Sequence, residues 1–114
     1  MKESLKAVVL NALTEGKAHD VNSLEVIQLT DITEHMIIAT GTSTTHVRSI
    51  SDRVLKETKT QDYLPIGIEG EKTAEWILID LGDVIVHVML PGTRAFYNLE
   101  KLWTTFAPAT AISA

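Results

Sequence analysis

The sequence predicts a two-layer α/β domain with a five-stranded mixed sheet. Three observations lead there. The stretch Glu75–Met89 reads as two apolar strands around Gly82-Asp83. Glycine at the first loop position accepts a positive φ, so Gly-Asp is a hairpin signal. Three other segments each carry one apolar stripe at helical spacing, and the hairpin has one purely aliphatic face for them to cover. The predicted order is helix, strand, strand, helix, strand, strand, strand, helix.

Leu5, Val8, Val9, Ala12 and Leu13 form the first helical stripe, and Gly16 is placed to stop it. Leu24, Val26 and Gln28 alternate with Glu25, Ile27 and Leu29, which predicts a strand there. Met36-Ile37-Ile38-Ala39 predicts a second, buried strand. It runs into Thr40-Gly41-Thr42-Ser43-Thr44, rich in capping residues, and then a helix with Val47, Ile50 and Val54 on one side. Leu64, Ile66 and Ile68 alternate in a third strand. Pro65 has no N–H to give a ladder, so that strand belongs at an edge or begins there. After the hairpin, Pro91 and Gly92 break the chain and Thr93 is placed to cap a last helix. Its buried face would be Phe96, Leu99, Trp103 and Phe106. Residues 1–106 are thus expected to form one domain, with 107–114 a disordered tail.

The hairpin register follows from its turn. Leu81 should face Val84, Ile79 should face Val86 and Ile77 should face Val88, all on the aliphatic side. The opposite side carries Trp76, Leu78, Asp80, Ile85, His87 and Met89. Three helices cover one face of five short strands. The Trp76 side is therefore expected to stay at least partly open.

Composition narrows the function. With 114 residues, 45% of them hydrophobic, the chain supports one core. A formal charge of -5 opposes the phosphate backbone as a general partner, and sequence-specific nucleic-acid binding is not expected. It suits a basic protein partner. The absence of cysteine removes disulfides, thiolate catalysis and cysteine zinc sites. No apolar run approaches the ~20 residues of a membrane span. The first residues include Glu3 and no arginine, unlike a transit peptide, so a cytoplasmic location is expected.

Each candidate site has a plainer alternative. A strand-to-helix junction such as Thr40–Thr44 can hold phosphate on free N–H groups. It has one glycine and no following lysine, so a capping turn is the simpler reading. His19, His35, His46 and His87 are not spaced as metal pairs, and no metal or cofactor is expected. Asp80 lies diagonally across the hairpin from His87, which suits a structural pair. Asp80 and Asp83 form an acidic pair, but Asp83 falls in the turn, where Asp is ordinary. Trp76, Leu78 and Met89 are either core beneath a helix or an exposed anchor patch rimmed by Asp80 and His87. Arg94 and Tyr97 would extend such a patch.

Three segments coincide with a known pattern. They are Ile37–Ser43 with His46-Val47, Glu69-Gly70-Glu71 followed by Glu75–Met89, and Arg94–Trp103. Together they closely resemble the ribosomal silencing factor, or Iojap, family over nearly the whole chain. The resemblance implies a fold similar to nucleotidyltransferases and a non-enzymatic translational repressor. It implies binding to the large ribosomal subunit through the large-subunit ribosomal protein numbered fourteen, a block on joining of the small subunit, and a role in ribosome biogenesis. The matched positions Trp76, Leu78, Asp80, Leu81, His87, Met89, Arg94 and Tyr97 are then the expected binding surface. Thr45 departs from the family's usual arginine, and Glu34-His35 from its acidic-aromatic pair. Gly41-Thr42-Ser43 is not followed by the Asp-x-Asp pair that nucleotidyl transfer needs to hold two metal ions. Two competing expectations remain: a nucleotide- or phosphate-binding enzyme using Thr40–Thr44 and Asp80, and a homodimer through the same patch.

Overall fold

The computed structural model describes residues 3–101. Helix α1 (Leu5–Glu15) starts where the Ser4 hydroxyl accepts from the Ala7 N–H at 3.2 Å. It is followed by β1 (His19–Glu25), β2 (His35–Thr40), α2 (Thr44–Thr60), β3 (Gly67–Glu69), β4 (Trp76–Asp80), β5 (Val84–Met89) and α3 (Pro91–Tyr97). The sheet order is β1-β2-β5-β4-β3. β2 and β5 run parallel and every other neighbouring pair antiparallel, so the sheet is mixed.

The hairpin register is the expected one. Ile77 pairs with Val88 and Ile79 with Val86, while the Leu81 N–H donates to the Val84 carbonyl at 2.9 Å. Gly82 takes the positive φ, +89°. On this side Ile77, Ile79, Leu81, Val84, Val86 and Val88 join Ile37 and Ala39 of β2. They pack beneath Leu5, Val9 and Leu13 of α1 and Val47, Ile50 and Val54 of α2. Burial of each large aliphatic side chain contributes ~1.5–3 kcal/mol, so this layer is the main source of stability.

β1 lies earlier than its apolar alternation suggests. It is an edge strand of polar sequence, His-Asp-Val-Asn-Ser-Leu-Glu, and pairing with β2 rather than periodicity sets its limits. Val26 makes one further bond to the Glu34 carbonyl. The Leu29 and Thr30 amides then turn back onto Val26, so Gln28 and Leu29 belong to a turn. β3 is a three-residue edge strand, at the edge as expected, and it starts after Pro65, later than predicted. Leu64 and Ile66 precede it and are exposed.

The larger departure is on the mixed side of the sheet. Two helices, not three, cover the aliphatic face. α3 has Leu90 as its N-cap and Pro91 at its start, where a missing N–H costs nothing, so Thr93 is not the cap. The helix ends after seven residues because Asn98 is left-handed, with φ 48° and ψ 55°. A new helical turn begins at Leu99. That break changes the phase. Phe96 is 80% exposed, whereas Leu99 packs against a second apolar cluster of Val26, Met36, Ile38 and Met89. The turn after β1 and the segment after α3 thus cover part of the face expected to be open. Trp103, Phe106 and the tail at 107–114 lie outside the described residues.

Candidate functional site

The antiparallel register of β4 and β5 places Trp76 opposite Met89 and Leu78 opposite His87. Trp76 and His87 are therefore diagonal neighbours on the mixed face, within reach for side chains of this size. The Trp76 indole N–H donates to His87 Nδ1 at 2.9 Å, and the rings lie 5.8 Å apart. An accepting Nδ1 puts the remaining proton on Nε2, so His87 is a neutral imidazole. Only 5% of His87 is exposed, and burial pushes its pKa down to about 4.

Trp76 also meets Tyr97 at 4.9 Å between centroids, and Tyr97 meets Phe96 edge-on at 5.0 Å. These are favourable tilted and edge-to-face arrangements. His87, Trp76, Tyr97 and Phe96 form one aromatic run from the interior to solvent. Trp76 is half-buried, Tyr97 is 54% exposed and Phe96 more so.

α3 is fixed to the sheet by Arg94. Its guanidinium grips the Glu100 carboxylate with two bonds, 2.8 and 2.9 Å, and donates to the Asp20 carbonyl and the Thr40 hydroxyl at 2.6 and 2.8 Å. Asn22 adds a 2.6 Å bond to the same carboxylate. Arg94 holds the Glu100 carboxyl below the usual range, more than its partial burial raises it. This clamp joins α3, the turn after it, β1 and β2. It also sets the position of Tyr97.

β4 is fixed by a second device. Gly70 has φ +88°, and a Cβ there would lie 1.9 Å from the Trp76 carbonyl oxygen, so no other residue fits. Arg48 of α2 donates to the Glu71 and Lys72 carbonyls and secures that loop.

The expected surface residues separate accordingly. Trp76, Leu78, Asp80 and Tyr97 retain exposed area on or beside the mixed face. Leu81 does not belong with them: it is core on the helix-covered side, since strand alternation points it away from Trp76. Met89 is fully buried in the second cluster, against which Leu24, Leu29, Trp76 and Leu99 pack. His87 is buried behind Trp76, and Arg94 is spent on internal bonds. Asp80 does not pair with His87; one carboxylate oxygen accepts the Gly82 N–H at 2.9 Å and stabilises the hairpin turn. Sequence reasoning missed Phe96 as a surface residue, and Thr40, Asn22 and Glu100 as partners of Arg94. Only the left-handed tendency of Asn98 hinted at that rearrangement.

The Thr40–Thr44 junction is a helix cap with Ser43 as its N-cap. Thr42 N–H donates to His46 Nδ1 at 2.9 Å, and His46 N–H donates to the Ser43 hydroxyl at 3.1 Å. His46 Nε2 lies 2.9 Å from the Gly16 carbonyl. Gly41 serves close packing: a Cβ there would come within 2.7 Å of Val47. Among the described residues, no three His, Cys, Asp or Glu side chains gather as a metal site. No helix among them is long and apolar enough to cross a membrane.

A sequence profile of the family described as "Ribosomal silencing factor during starvation" matches residues 1–113. The chain belongs to the ribosomal silencing factor family. A ribosomal silencing factor from Chromobacterium violaceum is 36% identical over 98% of this chain and 92% of its own length. A crystal structure of a protein from that organism superimposes with a TM-score of 0.87 at 36% identity, covering 91% of this chain and 87% of the other. The mouse protein named "Mitochondrial assembly of ribosomal large subunit protein 1" is 32% identical over 85% of this chain, which spans 44% of that protein. Membership implies ribosome-associated regulation, and the family is named for silencing rather than for a reaction.

Proposed function

We propose that this silencing factor is a cytoplasmic translational repressor. It binds the large ribosomal subunit through the large-subunit ribosomal protein numbered fourteen and sterically blocks joining of the small subunit. The observation that carries this is the aromatic run on the mixed face. Trp76 and Tyr97, with Leu78 and Asp80 beside them and Phe96 at the outer end, make a rigid, partly exposed aromatic surface. Anchors of this kind dominate protein interfaces, and exposed apolar groups rimmed by polar ones mark them. The net charge of -5 favours approach to a basic ribosomal protein. A role in ribosome biogenesis is supported by the mouse relative's name.

The test uses purified subunits. Adding the protein to large subunits before small subunits should lower the light scattering of joined ribosomes. Tyr97→Ala should relieve that inhibition. Undiminished joining with saturating wild-type protein would contradict the proposal.

A further inference from the structure

We propose that His87 is a positioning residue for the partner-binding surface: it holds the Trp76 indole in its docking orientation and accepts its N–H in advance. This rests on Trp76 being an anchor, as argued above. A partly exposed tryptophan has two difficulties on docking. Its ring loses rotamer freedom, and its N–H loses water. The hairpin removes both. Tyr97 packs against the indole and His87 receives its N–H at 2.9 Å.

The consequence concerns the chemistry of the partner. An anchor whose only polar atom is already satisfied asks for no acceptor. The partner group over Trp76 is then an apolar side chain or the flat face of a guanidinium, which stack on an indole without competing for its N–H. A carboxylate or carbonyl aimed at the indole nitrogen would gain nothing. His87 need not touch the partner, and its burial behind Trp76 fits that role.

Two readouts test the proposal: affinity for purified large ribosomal subunits and the indole ¹H–¹⁵N resonance of Trp76, assigned by its loss in Trp76→Phe. His87→Ala should move the resonance away from its hydrogen-bonded position and weaken binding roughly fivefold to tenfold, the net worth of one such bond. His87→Asn, whose carbonyl reaches about where Nδ1 stands, should restore both. In a Trp76→Phe background, His87→Ala should add no further loss. Should His87→Ala not fold, His87→Leu fills the same volume without an acceptor and takes its place. Wild-type affinity in a folded variant whose indole resonance has moved would overturn the positioning role. So would an undiminished loss in the Trp76→Phe background. If Trp76→Ala itself binds normally, the surface is misassigned and the positioning role falls with it. If Trp76→Ala binds weakly and His87→Ala does not, the positioning role alone falls.

Discussion

Trp76 and His87 sit on adjacent strands, two positions out of register, and share a 2.9 Å hydrogen bond that holds the imidazole neutral. The bond links stability, surface shape and pH. A protonated His87 would have no lone pair on Nδ1 for the indole, and its charge would be buried.

Acid should therefore weaken the fold in a defined window. The folded pKa of His87 is about 4 against 6.5 for a free histidine. Between those values the unfolded chain binds the extra proton and the folded chain does not. Stability from this group is complete above pH 6.5 and is lost as pH falls towards 4. The loss is on the order of 3 kcal/mol. Urea denaturation across pH 4–7 should show this slope in the wild type and a flatter one in His87→Asn. Equal slopes would contradict it. Glu100 acts lower on the scale: its carboxyl is held down by Arg94, so its contribution is lost as pH falls through that depressed value.

Arg94→Ala should detach the segment after α3. It removes the bidentate grip on Glu100 and the bonds to Asp20 and Thr40. The pair is partly exposed, so the expected cost is about 1–3 kcal/mol. At roughly 4–8 °C per kcal/mol for a domain of this size, calorimetry resolves it readily. Arg94→Lys should recover little, because a single ammonium cannot reproduce the fork. Full recovery by lysine would show that charge alone matters.

Gly70→Ala and Gly82→Ala should differ sharply although both glycines have positive φ. At Gly70 the added carbon meets a backbone oxygen at 1.9 Å. At Gly82 its nearest neighbour is the end of Ile66 at 3.4 Å. The first should cost more than about 3 kcal/mol or prevent folding. The second should cost only the left-handed penalty, ~1–2 kcal/mol. Similar melting temperatures for the two variants would contradict the close approach at β4.

What the sequence made legible was local. The hairpin register could be read because a two-residue turn fixes it, and α1 and α2 because their apolar stripes face one core. The limits of β1 escaped because an edge strand with polar residues has no periodicity to read. The last helix was legible, but not its end or its buried face, because these depend on a distant arrangement: Asn98 turns left-handed while Arg94 is held by Asp20 and Thr40. That same break brings Leu99 against the cluster that holds Met89 and leaves Phe96 exposed. The partial exposure of Trp76 on the mixed face was therefore readable, and the burial of Met89 and exposure of Phe96 were not.

The most direct measurement is the affinity of Trp76→Ala for purified large ribosomal subunits, by cosedimentation at several protein concentrations. The aromatic-anchor account predicts a folded variant whose binding falls by at least thirtyfold, about 2 kcal/mol for a central anchor. Wild-type affinity in a folded Trp76→Ala protein would contradict it.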